Sequence, residues 1–216
     1  MGISLFALFG SASIGVYSLA TNSIVIVPPQ LPENKAEGLQ EWLRAKVIQT
    51  TIGGSVLIGA LSRANSKGII LPHFVREKET QAIRTTSDLN MSTMVTKRTA
   101  YGNSILTNDR GAVVDPRIAT SDMKKIADTL GVEVVRGEIA GLPYVGSLAT
   151  ATNKGVLAHP MLREEEEKVL ADVLKVPVDV GTINCGVPYV STGLIGNDWG
   201  AVAGSVTTGP EMFIIG

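Results

Sequence analysis

The 216-residue chain holds a single cysteine, Cys185. One thiol cannot close an internal disulfide, which points to a reducing, cytoplasmic setting. Histidine is scarce as well, with only His73 and His159, and no Cys or acidic side chains stand beside them at zinc-ligand spacing. No metal site and no cofactor is expected. Long hydrophobic runs are missing: no stretch reaches the roughly 18 apolar residues a membrane span needs, and Lys, Arg, Asp or Glu interrupt everything after Glu33. Residues 1–32 carry no charge, and "ISLFALFG" resembles the apolar core of a signal peptide, but the basic amino-terminal region of such a peptide is absent. An excess of positive charge is lacking too, since the formal net charge is −1. Wrapping of DNA or of any long phosphate backbone is driven by Lys and Arg replacing counterions, so nucleic-acid contact is expected only locally.

What the chain does have is repetition. "TNSIVIVPP" from Thr21, "ANSKGIILP" from Ala64, "TNDRGAVVDP" from Thr107, "TNKGVLAHP" from Thr152 and "GNDWGAVAG" from Gly196 are variants of one turn and strand. The anchoring asparagines Asn22, Asn65, Asn108, Asn153 and Asn197 stand 43, 43, 45 and 44 residues apart. A fixed period of this size signals a repeat architecture, here five units of about 43–45 residues forming one domain over residues 1–216. Hydrophobic residues make up 44% of the chain, ample for a buried core.

Within each unit an apolar stretch leads to Asn, and a Gly follows two or three residues later in every copy but the first, where Ser23 and Ile24 stand instead. Asn and Gly tolerate positive φ, so the pair predicts a hairpin turn between two strands. The second strand ends at Pro, which cannot donate to a ladder, although the fifth copy has Gly204 there. Helical periodicity follows: Ala36, Leu39, Leu43 and Val47; Met123, Ile126, Ala127 and Leu130; Val169, Leu170, Val173 and Leu174. The pattern is weakest in "VREKETQAIRTT". Ser121 can cap one helix start, and Gly131 suits the left-handed position after its end. A third strand completes the unit as ββαβ, in "VIQTTI", "MVTKR", "VEVVRGEI" and "VDVGTI".

The termini suggest how the units are joined. Residues 3–10 occupy a third-strand slot with no helix before it, while the fifth repeat, after a short helix begun by Pro210, has no third strand. Pairing the two completes the fifth unit and closes a five-bladed α/β ring without an exposed sheet edge.

The segments "QTTIGGSVLIGALSRANSKGIILP", "YGNSILTNDRGAVVDP", "VGSLATATNKGVLAHP" and "TTGPE" resemble the translation initiation factor 6 family in its archaeal form, in the family's order and spacing over nearly the whole chain. The resemblance implies the pentein fold, a β/α propeller of five pseudosymmetric ββαβ-type repeats. It also implies a monomeric ribosome anti-association factor that binds the large ribosomal subunit, prevents premature joining of the small one and takes part in large-subunit maturation.

The same fold class contains hydrolases that modify guanidinium groups with a Cys nucleophile, and Cys185 with His73, His159, Asp115 or Asp198 could supply the inventory. Against this, "INCGVPYV" pairs with "IAGLPYV" of the preceding repeat, which sets Cys185 opposite Gly141 in a connecting segment; no catalytic residue is expected. His159 reads as a surface residue at a strand exit. The run Glu164–Glu167 reads as a solvated first helical turn that complements the macrodipole. "IGG", Ile52 to Gly54, lacks the Lys and Ser/Thr of a phosphate loop and reads as a tight strand connection.

Repeat logic then selects a face. Gly15, Gly59, Gly102, Gly146 and, less regularly, Gly193 head the inner strands, and the residues after them should cluster: Val16, Tyr17, Ala60, Leu61, Asn103, Ser104, Ser147, Leu148 and Leu194. A mixed patch of small side chains suits a rather flat protein interface. By the resemblance, this face is the ribosome-binding one and meets a large-subunit ribosomal protein, with room for local rRNA contact.

Overall fold

The computed structural model describes residues 2–216. It begins with strand β1 (Gly2–Phe6). The first repeat contains a one-turn helix α1 (Ile14–Tyr17), β2 (Leu19–Ala20), β3 (Ile24–Val27), α2 (Glu33–Leu43) and β4 (Lys46–Gln49). The second has α3 (Ile58–Leu61), β5 (Arg63–Ala64), β6 (Gly68–Pro72), α4 (Glu77–Thr86) and β7 (Asn90–Met94). The third has α5 (Tyr101–Ser104), β8 (Ile105–Thr107), β9 (Gly111–Val114), α6 (Thr120–Leu130) and β10 (Glu133–Arg136). The fourth has α7 (Val145–Leu148), β11 (Ala149–Ala151), β12 (Val156–Ala158), α8 (Glu164–Leu174) and β13 (Val178–Val180). The fifth has α9 (Val190–Gly193), β14 (Leu194–Gly196), β15 (Gly200–Gly204) and α10 (Gly209–Ile215). None of these helices is long and apolar enough to cross a membrane.

Each repeat builds one three-stranded sheet, an antiparallel hairpin extended by a parallel third strand. In the fifth sheet the third place is taken by β1, which runs parallel to β15 from Gly2 opposite Gly200 to Phe6 opposite Gly204. The five sheets remain separate, and among the described residues no continuous sheet joins them. The middle strands are buried along their whole length, which explains their unbroken apolar sequences.

The ββαβ reading needs one correction. The glycines expected to head inner strands lie inside one-turn helices that precede the strands. Their first residues, Ile14, Ile58, Tyr101, Val145 and Val190, are buried and anchor the turn. In the first two repeats the turn is ended by a serine hydroxyl, Ser18 Oγ donating to Ile14 O and Ser62 Oγ to Ile58 O, both at 2.6 Å.

The hairpin turns differ from expectation as well. Equivalent positions donate a backbone N–H to the carbonyl three residues on, and they are Thr21, Asn65, Asn108, Thr152 and Asn197. Asn22 and Asn153 therefore lie one place later than the other three asparagines. No asparagine of these turns has positive φ. Instead, Asn65 Oδ1 accepts from the N–H groups of Lys67 and Gly68, at 2.9 and 3.0 Å, a side-chain-mediated turn. Its amide nitrogen donates onward to Asn108 O and Leu130 O of the next repeat.

Helices pack across repeat boundaries: α6 contacts β6, α8 contacts β9 and α2 contacts β15. Accordingly Ile70 shares a core with Ile126 and Leu130, Val113 with Leu170 and Leu174, and Val202 with Leu39 and Leu43. Each fully buried leucine stabilises the packing by about 2 kcal/mol. Helix α6 begins at Thr120 after Ala119, so Ser121 does not cap it; Gly131 does adopt the left-handed conformation, with φ 62°. Arg44 and Lys175 end α2 and α8 in the same way, at φ 48° and 56°.

Candidate functional site

The five one-turn helices touch in cyclic order, α1 to α3, α3 to α5, α5 to α7, α7 to α9 and α9 back to α1. Their spacing is set by the second residue of each. A Cβ at Gly59 would strike the carbonyl oxygen of Gly15, one at Gly102 that of Gly59, one at Gly146 that of Gly102, and one at Gly15 that of Ser191. Glycine is thus required for backbone approach at four of the five places. The fifth is Ser191, which corrects the assignment of Gly193 to this series.

The residues after this series, Val16, Ala60, Asn103, Ser147 and Thr192, surround a narrow opening and are partly exposed. Tyr17 and Leu61 are partly buried beside them. Ser104, Leu148 and Leu194 are buried, and Leu194 is the first residue of β14. These three contribute no free surface, because a single helical turn points every third or fourth residue back into the core. Sequence reasoning missed the residues that project most: Leu57, Tyr144 and Tyr189, each just before a one-turn helix, are 39%, 44% and 41% exposed. Phe9 is 54% exposed and packs edge-on against Tyr17, with ring centroids 5.7 Å apart. Arg117 lies over the Tyr144 ring at 5.1 Å, held by Asp115, whose buried carboxylate its guanidinium meets at 2.6 Å. A rim of partly exposed aromatics around small side chains is the composition of an interface centre.

Behind the opening lies a cavity of about 40 Å³ that shares Gly15, Gly59 and Ser191 with the rim. Arg63 occupies it, donating from Nη2 to the carbonyls of Gly102 at 2.5 Å and Gly146 at 2.7 Å, while its Nε is buried without a partner. Burial lowers this guanidinium to about 10, still charged at neutral pH. Its charge faces the converging backbone carbonyls, so Arg63 plugs the centre. On the far side, Asn22, Ser66, Asp109, Asn153 and Asp198 take equivalent positions and bond to one another; Asn153 Nδ2 donates to Asp109 at 2.7 Å and Asp198 at 2.9 Å.

A second repeated device is a buried glutamate in the first turn of the helix that follows a middle strand. Glu79 accepts from the N–H groups of Gly53 and Gly54, Glu166 from those of Ala140 and Gly141, and Glu211 from those of Cys185 and Gly186. The "IGG" connection is the tight turn expected, with φ 63° and 81° at its two glycines. Glu166 is buried, so the run Glu164–Glu167 is a solvated turn with one structural member. Sequence gave a signal for this: Thr-x-x-Glu before α10 is a capping box.

Glu211 is the most strongly held. Burial works to raise its pKa, but donors from Thr208, Gly186 and Thr182 outweigh it and hold the carboxyl at about 2, from an ordinary 4.5. A folded value below the unfolded one contributes stability above about pH 4.5 that fades as pH falls towards 2. Glu211→Gln should therefore cost on the order of 2 to 3 kcal/mol at pH 7 by urea unfolding, and much less at pH 3. An equal cost at both pH values would contradict this account.

The same contacts define Cys185. It is exposed, with φ 63°, and its N–H donates to Glu211 at 3.1 Å. It matches Ala140 rather than Gly141, because the fifth turn bridges Ile183 to Val187 and is one residue longer than the fourth. The other members of the hydrolase inventory are engaged elsewhere: Asp115 with Arg117, Asp198 with Asn22 and Asn153, and His73 edge-on with Phe74. His159 is 9% exposed, not a surface residue; its Nδ1 accepts from Met161 N–H, and burial lowers its pKa below the usual imidazole value.

Fold and centre together define a five-repeat α/β protein whose repeats meet around a plugged middle. The chain belongs to the eIF-6 family, whose model matches residues 3–216. It is 44% identical over 207 residues to Translation initiation factor 6 of Pyrococcus abyssi, covering 94% of this chain and 91% of that protein. It is likewise 44% identical to Translation initiation factor 6 of Methanocaldococcus jannaschii, covering 95% and 92%, and 36% identical to that of Staphylothermus marinus, covering 100% and 96%. Membership places the chain among the initiation factors of protein biosynthesis, as the sequence resemblance implied.

Proposed function

We propose that this protein is a ribosome anti-association factor that docks on the large ribosomal subunit and keeps the small subunit away by occupying its approach. The observation that carries the reading is the end of the molecule where the five one-turn helices meet. It offers small side chains at Val16, Ala60, Asn103, Ser147 and Thr192, flanked by Phe9, Leu57, Tyr144 and Tyr189. Family membership supplies the translation setting. The near-neutral net charge favours docking on a ribosomal protein over coating of RNA, leaving rRNA contact local.

In this reading the five sheets, with β1 completing the fifth, form a closed pentein-type ring in one domain. The protein acts as a cytoplasmic monomer, without catalysis or cofactor, and also serves large-subunit maturation. The functional test is subunit reassociation followed on sucrose gradients. Stoichiometric protein should leave the subunits apart, and full reassociation in its presence would refute the proposal. Cys185→Ala should be as active as the parent, and neither should release ammonia or urea from arginine or agmatine; turnover lost in the variant would move the protein to the hydrolase class.

A further inference from the structure

Four of the links from a third strand to the next one-turn helix are pinched by a backbone bridge, Leu8 to Ser11, Ile52 to Ser55, Ile139 to Leu142 and Ile183 to Val187. Three of these links also receive the glutamate at the third position of α4, α8 or α10, namely Glu79, Glu166 and Glu211. The link after β7, residues 95–100, has neither feature. It forms no such bridge among the described residues, and the third position of α6 is Asp122, one methylene shorter, which accepts no backbone N–H from it. The link is nonetheless fixed. Tyr101 is buried, and its hydroxyl donates to Thr96 Oγ1 at 2.7 Å, because the Thr96 hydrogen is engaged with Arg98 O at 2.6 Å.

Where a glutamate fills the sister links, this one borders a cavity of about 450 Å³, the size of a small-molecule site. Met94, Ile118 and Ala119 give it an apolar wall, and Lys97, Arg98, Arg117 and Asp122 give it charge. Arg117 is engaged by Asp115. The side chains of Lys97 and Arg98 are exposed and make no hydrogen bond or ion pair among the described residues. Arg136 adds positive charge behind the start of α6, donating to Ile118 O and Thr120 Oγ1, both at 3.0 Å. Two free cations therefore face one free carboxylate across the cavity.

We propose that this cavity binds a small phosphate monoester that also carries hydroxyl or amine donors, the class to which nucleoside monophosphates belong. In three sister repeats the same place receives an anionic group from within the chain, so the position suits one. Lys97 and Arg98 take the phosphate, since charge-assisted hydrogen bonds from two cations favour a doubly charged anion. Asp122 accepts from the ligand's hydroxyl or amine and repels a bare anion, which offers it no donor. The wall of Met94, Ile118 and Ala119 gives the body of the molecule packing contact. This binding is independent of the ribosome reading.

The test is titration of the ¹⁵N-labelled full chain, without ribosomes, with AMP, inorganic phosphate and adenosine in turn. AMP should bind with a Kd of about 1 mM or below, with saturable shifts at the amides of Lys97, Arg98, Ala119 and Asp122. Phosphate should bind about tenfold more weakly, and adenosine should not saturate. Lys97→Gln with Arg98→Gln should weaken AMP binding about tenfold or more, and Asp122→Ala should weaken AMP but not phosphate. Lys78→Gln with Lys168→Gln, which removes two exposed charges on other helices, should bind as the parent does. No saturation with AMP up to about 10 mM, unchanged affinity in the Lys97 and Arg98 variant, or tighter AMP binding in Asp122→Ala would overturn the proposal. Phosphate binding as tightly as AMP would reduce the site to an adventitious ion only. An RNA oligonucleotide that binds at these residues about a hundredfold tighter than AMP would overturn it in favour of a nucleic-acid contact.

Discussion

Removal of residues 2–10 is expected to aggregate the protein or unfold it at ambient temperature. The segment supplies the whole of β1, whose five residues pair in register with β15. It also supplies Phe6 and Leu8, 6% and 1% exposed, to the core shared by Ile14, Val25, Leu39 and Leu43. Phe6 packs edge-on against Trp42 at 6.1 Å, and Lys35 Nζ reaches Ala7 O at 3.0 Å. Burial of the two side chains alone contributes about 4 to 5 kcal/mol, a large part of the roughly 5 to 15 kcal/mol by which a domain is stable. The deletion would further uncover β15, an apolar strand buried along its length, as an unpaired edge. Size-exclusion chromatography and thermal melting check this. A truncated chain that elutes as the parent does and melts at the parent's temperature would show that β1 is dispensable.

Asn103→Arg should abolish binding to large ribosomal subunits while moving the melting temperature little. Asn103 lies in the ring of small residues at the opening, is partly exposed and makes no side-chain hydrogen bond among the described residues, so the fold loses nothing when it changes. A guanidinium there would stand at the centre of the proposed interface, unpaired and desolvated on docking, at a cost of several kcal/mol. That corresponds to a loss of affinity of about a hundredfold or more. Ser147→Arg, one helix further round the same opening, should behave alike. Thr85→Arg, on the exposed side of α4, serves as a control that should bind normally. Normal binding by both ring variants would move the interface off this face.

The five repeats, their long helices and the amino-terminal strand's place beside the fifth hairpin were legible because each follows from a pattern long enough to have a period. The one-turn helices were not. "IGAL" and "YGNS" are four residues, too few to distinguish a helical turn from an apolar strand, and their existence rests on the tertiary contact of glycine with a neighbouring carbonyl. The same limit explains Ser191, which takes the glycine position in the fifth repeat while Gly193, two residues on, was the visible candidate. The slip at Asn22 and Asn153 arose because Thr21 and Thr152 hold the turn position where three repeats use Asn, so matching on residue type shifted two repeats by one. Glu166 looked like one of four equivalent charges; only the approach of the Ala140–Gly141 turn singles it out. The exposed aromatics Tyr144 and Tyr189 share a signal, a "PYV" that runs into each of their short helices, but three residues do not tell an exposed ring from a buried one.

Cosedimentation of the purified protein with separated large and small ribosomal subunits tests the central claim most directly. The protein should pellet with large subunits at close to one copy each, be absent from small-subunit pellets, and compete with small subunits for the large ones. Recovery in the supernatant with both subunits, or in the small-subunit pellet, would contradict it.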